Sequence, residues 1–161
     1  MITAKKKGTA TITVKTHNGL TATVKVKVRS KLKDAYGLLT NKTGTYKKIV
    51  RKLKLKRDPD PDSGTVMYYN SQLALIMSAN SCQVSLTPSK KPKYSIQGAD
   101  GSMTAEMVAA KLASKGWKLS GTKVVDGTNL YAFTKGEDTS HYITVNADGS
   151  DLLGLDATWT W

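Results

Sequence analysis

The sequence predicts an α+β fold: antiparallel sheet or sheets with one or two helices, preceded by a β-hairpin. Three observations carry this. Apolar residues alternate with period two over Gly8–Val28 and over much of the chain after Trp117. One segment, Thr104–Gly116, has helical spacing and signals at both ends. Asn-Gly and Asp-Gly dipeptides punctuate the alternating runs, as turns between strands require.

The hairpin comes first. Ala10, Ile12 and Val14, then Ala22, Val24, Val26 and Val28, are apolar at even positions, with mostly Thr and Lys between them. Such alternation puts one face on a core and the other in water. Apolar residues face each other across an antiparallel pair only if the paired numbers sum to an even value. A three-residue loop, His17-Asn18-Gly19, satisfies this by pairing Thr16 with Leu20, Val14 with Ala22 and Ile12 with Val24. A two-residue Asn-Gly loop sets Val14 against Thr23 and breaks the face. Gly19 then takes the left-handed position that other residues tolerate poorly.

Ser30–Leu39 is a helix candidate, with Leu32, Ala35, Tyr36 and Leu39 at helical spacing. Thr45–Arg57 reads both ways. Tyr46, Ile49, Val50 and Leu53 fit a helix, while Leu53 and Leu55 alternate with Lys52, Lys54 and Lys56. The strand reading is preferred, because an acidic proline loop follows and the apolar run Thr65–Met77 resumes after it, as in a long hairpin. Ser81–Thr87 and Lys93–Gln97 are short strands around a Pro88–Pro92 turn. Thr104 is the expected N-cap of the clearest helix, Glu106 suits its positive end, and Gly116 stops it. Met107, Val108, Ala110 and Leu112 form its expected buried stripe. Trp117–Val125, Leu130–Thr134, His141–Val145 and Leu152–Trp161 read as strands. The organisation is thus a hairpin at 1–29 and an α+β domain at 30–161, with two similar halves at 30–97 and 98–161.

Residues 2–28 carry one resemblance. Gly8-Thr9-Ala10-Thr11-Ile12-Thr13-Val14 and Ala22-Thr23-Val24-Lys25-Val26 resemble the last two strands of a group 2 bacterial immunoglobulin-like domain. The resemblance implies an incomplete domain of that type and a secreted or cell-surface setting in a bacterium. The remaining residues resemble no family.

Composition bounds the function. The chain has 161 residues, enough for a cored domain plus a fragment, and a 39% hydrophobic content too high for a disordered chain. No run is long enough to span a membrane. Cys82 is the single cysteine, so no intramolecular disulfide forms, and it reads as a small core residue. Charge is one-sided. Residues 1–57 hold 14 Lys, 3 Arg and 1 Asp, a net of +16, whereas residues 58–161 hold 8 Lys against 11 Asp and Glu, a net of −3. Such a field favours anionic partners, with Lys47, Lys48, Lys52, Lys54 and Lys56 the candidate contacts.

The other chemical candidates are few. Asp58, Asp60 and Asp62 place carboxylates at alternate positions, as calcium loops do, but without the glycine and bidentate glutamate of a complete loop. A solvated turn is the simpler reading. Trp159 and Trp161 share a face of the last strand and offer rings for carbohydrate stacking, or bulk for the core. His141 follows Asp138 and Ser140, but neighbours along a strand point to opposite faces, so no triad is expected. No HExxH, CxxC, GxSxG or phosphate-binding glycine loop occurs. The expectation is a non-enzymatic adhesion, wall-binding or spacer module with no cofactor. Its partners would be an anionic wall polymer, a glycan or a host surface protein, with homodimerisation through the hairpin a further option. A carbohydrate-binding accessory domain of an extracellular enzyme is the alternative, and a basic nucleic-acid-binding protein ranks third.

Overall fold

The computed structural model describes residues 8–28, 32–39, 43–58 and 65–161. The chain divides into two compact units, Met1–Lys31 and Leu32–Trp161.

The first unit is the hairpin of β1 (Gly8–Lys15) and β2 (Thr21–Val28), paired antiparallel with Ile12 opposite Val24 and Val14 opposite Ala22. The Thr16 N–H donates to Leu20 O at 2.9 Å and the Gly19 N–H to Thr16 O at 3.0 Å, which closes the three-residue loop. Gly19 has φ +85°, so the register and the left-handed glycine are as the alternation demands. Val14, Leu20 and Val24 are exposed.

The second unit opens with β3 (Lys33–Asp34) and a 3-10 turn at Tyr36–Leu38, not with the expected helix over Ser30–Leu39. The reason is long-range: Lys33 and Asp34 pair in parallel with Tyr94 and Ser95 of a later strand. Helical spacing of Leu32, Ala35 and Leu39 loses to that pairing, and Ala35 and Leu38 enter the core from the turn.

The next segment reverses the preferred reading. Thr43–Leu53 is a helix, α1, and only Lys56–Arg57 forms a strand, β4. Ile49, Val50 and Leu53 pack against the core on one helix face. The apparent alternation of Leu53 and Leu55 has a different cause. Leu55 is buried just past the helix end, where its N–H donates to Val50 O at 3.1 Å while the Lys54 N–H donates to Arg51 O at 3.2 Å. This is the six-to-one and five-to-two cap that ends a helix with an apolar residue turned back onto it.

Strands β5 (Val66–Tyr69), β6 (Leu73–Met77) and β7 (Ser81–Leu86) follow, so the Thr65–Met77 run is two strands around an Asn70–Gln72 turn. After β8 (Tyr94–Ser95) comes α2 (Ala105–Ala113), where the Thr104 hydroxyl accepts the Met107 N–H at 3.3 Å. Ala105, Val108 and Leu112 are its buried residues, and Met107, expected inside, is 55% exposed. The chain ends in β9 (Lys118–Val125), β10 (Thr128–Lys135), β11 (Asp138–Asp148) and β12 (Asp151–Thr160).

Eight strands form one antiparallel sheet in the order β4-β5-β6-β7-β12-β11-β10-β9. Each half is therefore a helix followed by a four-stranded meander, and the last strands of the two halves, β7 and β12, meet at the centre. Leu73, Leu75, Val84, Ile143, Val145, Leu155 and Ala157 point to one face, where both helices contribute to a single core. Each buried Leu or Ile there is worth roughly 1.5–3 kcal/mol of transfer free energy.

Candidate functional site

Among the described residues, the densest run of exposed cations lies on α1 and β4. Ile49, Val50 and Leu53 take the core-facing side of the last two turns of α1. Lys47, Lys48, Arg51 and Lys52 are exposed on α1, and Lys54, Lys56 and Arg57 are exposed in the cap and on β4. That makes seven exposed cations within eleven residues, none in an ion pair among the described residues. The five expected lysines are thus all exposed, but spread over a helix, its cap and a short strand rather than along one strand. Lys52 sits in the last helical turn, Lys54 at the cap, and only Lys56 in a strand. Arg51 and Arg57 join them, and a helical reading of the segment would have found Arg51.

Lys54 is held at φ +56°, in left-handed backbone. A lysine there costs of order 1 kcal/mol relative to the glycine such caps favour.

A second polar feature occupies the sheet face away from the helices. Asp156 stands opposite Ser85 on β7 and Thr144 on β11. Ser85, Gln83 and Thr144 side chains hydrogen-bond to its carboxylate, yet burial outweighs them and raises its pKa. Tyr142, Asn146 and Thr158 surround this cluster by register. Its members lie tens of residues apart, so no local pattern announces it.

The chain end holds an aromatic cluster. Trp159 stacks on His141 at 5.2 Å with planes 7° apart, while Trp161 meets Trp159 at 5.1 Å but tilted by 59°. Trp161 is 46% exposed and Trp159 half-buried, so the two indoles form no common flat platform. Trp117, by contrast, is core, 3% exposed, and meets Tyr36 edge to face. Asp138, Ser140 and His141 do come together, because Asp138 folds back at the start of β11. Asp138 Oδ2 lies 2.8 Å from His141 Nδ1, and the Ser140 hydroxyl donates to Asp138 Oδ1 at 2.6 Å. These bonds, the Ser140 contacts foremost, hold the Asp138 carboxyl down at about 2. Ser140 Oγ also approaches His141 at Nδ1, 3.1 Å away. A nucleophilic triad needs the carboxylate and the hydroxyl on different ring nitrogens. Both partners here use the same one, so the cluster locks a turn.

Of the proposed calcium loop, Asp58 is half-buried with its N–H donated to Met67 O at 2.8 Å, while Asp60 and Asp62 lie outside the described residues. Among the described residues no three His, Cys, Asp or Glu side chains converge as a metal site, and no helix is long and apolar enough to cross a membrane. No family model matches the chain, and neither a curated protein nor a solved structure matches it.

Proposed function

We propose that the chain is a non-enzymatic module, secreted or held at the surface of a bacterium, that binds an anionic cell-wall polymer through the α1–β4 ridge. The single observation that carries the binding reading is the row Lys47, Lys48, Arg51, Lys52, Lys54, Lys56 and Arg57, exposed and free of ion pairs among the described residues. Closely spaced cations that make no ion pair among the described residues are attracted most strongly to a partner whose anions repeat along a chain. The surface setting rests on the resemblance of Gly8–Val26 to the end of an immunoglobulin-like domain. The wiring of Asp138, Ser140 and His141 supports a non-catalytic role.

The test is co-sedimentation of the chain with purified bacterial cell walls before and after their anionic polymers are extracted. Binding that falls on extraction and with added salt supports the reading. Undiminished binding to extracted walls opposes it, as does equal binding to DNA at matched salt, which would move the nucleic-acid reading forward.

The carbohydrate-binding alternative rests on Trp161, the more exposed indole at the end of β12. Its tilt against Trp159 leaves one ring for a sugar face, so any stacking there would involve a single residue.

A further inference from the structure

Lys56 of the ridge stands directly opposite Tyr69 in the β4–β5 register. Residues opposite each other in an antiparallel pair share a face of the sheet, with their side chains in reach of one another. The neighbouring ring, Tyr68, opposes Arg57 and packs against the core. Alternation therefore sends Tyr69 to the face away from the helices. It is 38% exposed there, and no hydrogen bond or ring contact engages it among the described residues.

The register continues this row across the sheet. Tyr69 opposes Ala74 on β6, Ala74 opposes Ser85 on β7, and Ser85 opposes Asp156 on β12. The neighbours of Ala74 along β6, Leu73 and Leu75, are buried at 1% and 0% exposure, which fixes Ala74 on the outer face. Between Tyr69 and Ser85, two strand spacings or roughly 10 Å apart, the floor is thus a single methyl group. The row runs from a cation through an aromatic ring and a small residue to a hydroxyl and a carboxylate. Its polarity is directional. A polyanion backbone is attracted to Lys56 and repelled by Asp156, whereas an uncharged group with hydroxyls can lie against the ring and donate toward the carboxylate. A nucleic-acid strand brings a phosphate with every base and fits that gradient less well than a neutral ring hung from the polymer.

We infer that Tyr69 is a specificity-determining residue of the ridge, stacking on an uncharged sugar substituent of the anionic polymer, seated over Ala74 while the polymer's charges stay at Lys56. The inference rests on the polymer-binding reading of the ridge and adds to it a contact that salt does not screen.

Binding of the intact chain to poly(glycerol phosphate), with and without glucosyl substituents and at several salt concentrations, tests it. The wild type is expected to bind the glucosylated form about threefold to tenfold more tightly, the worth of one aromatic stack. The slope of log affinity against log salt should be the same for both forms. Tyr69→Ala should abolish the preference and leave the slope unchanged, while Tyr69→Phe should keep both. Ala74→Leu fills the seat without touching the ring and should also abolish the preference, so the inference stays open to refutation even if Tyr69→Ala folds poorly. Salt-dependent binding of both forms with equal affinity would overturn the inference and leave the ridge reading standing. Binding of neither form, or binding indifferent to salt, would overturn both. A preference that survives Tyr69→Ala or Ala74→Leu would overturn the inference alone. So would an equal loss of single-stranded DNA binding in Tyr69→Ala, which would assign the ring to nucleobases.

Discussion

Lys54 occupies in the first half of the domain the place that Gly116 occupies in the second. Each residue is the left-handed position after a helix, at φ +56° and +85° respectively. Each donates its N–H three residues back, Lys54 to Arg51 O at 3.2 Å and Gly116 to Ala113 O at 2.9 Å. The next N–H, of Leu55 or Trp117, reaches five residues back at 3.1 Å in both cases, and both side chains are buried. The same cap is built twice, once with the residue that suits it and once with a cation.

Substitution at this pair should therefore have opposite signs. Lys54→Gly is expected to stabilise the domain by about 0.5–1 kcal/mol, and Gly116→Lys to destabilise it by a similar or larger amount. Denaturant midpoints of the two variants check this. On the proposed function, Lys54→Gly also weakens polyanion binding, so stability and affinity move in opposite directions.

Asp156 gives a pH dependence whose sign follows from burial. Its folded-state pKa is raised, so between the ordinary carboxylate range and that raised value the folded chain binds more protons than the unfolded one. Stability from this group is therefore full at acid pH and falls as pH rises through that window. Asp156→Asn removes the charge while keeping polar groups near Ser85, Gln83 and Thr144. Urea midpoints at acid and neutral pH should show the variant gaining on the wild type as pH rises. A variant that loses ground at neutral pH would contradict the assignment.

Asp138 acts in the other direction. Its carboxyl is held at about 2, so its bonds to Ser140 and His141 stabilise the fold above the unfolded value and are lost as pH falls toward that lower one. Asp138→Asn should flatten the acid limb of the stability profile, measured over the same urea series.

The elements that were legible in the sequence are those fixed by neighbours along the chain. The three-residue loop at His17–Gly19 follows from parity alone, and Thr104 and Gly116 bound α2 within local distance. The β9–β12 strands follow from alternation around Asp126-Gly127 and Asp148-Gly149. What failed was set elsewhere. Residues 33–34 form a strand only because Tyr94 and Ser95 pair with them, some sixty residues later. Thr45–Arg57 carried two periodicities at once, and the helix prevailed with Leu55 buried at its cap. The ridge was legible as a charge run but not as a shape. The Asp156 cluster draws on strands distant in sequence, so it left no local pattern.

Gly101 should not accept a side chain. A Cβ there would stand 2.8 Å from the Thr87 carbonyl oxygen and 3.0 Å from both Pro88 Cα and Ser89 N, all backbone atoms. Gly101→Ala is expected to cost about 1–3 kcal/mol through forced backbone movement, read as a drop in the denaturant midpoint.

Cys82 lies at 0% exposure opposite Trp159. Its thiol should resist a disulfide reagent in the native chain and react fully in denaturant. Rapid modification under native conditions would show that the β7–β12 centre opens more readily than its packing implies.

The central claim, that the α1–β4 ridge is the binding surface, is tested most directly by the salt dependence of affinity for a purified anionic wall polymer. The wild type is to be compared with the variant R51Q/K52Q/K54Q. Each cation that contacts a single-stranded polyanion adds roughly 0.7 to the slope of log affinity against log salt. Removing three should lower that slope by about 2 and weaken binding at low salt, with the fold intact by circular dichroism. An unchanged slope and affinity in the folded variant would place the binding surface elsewhere.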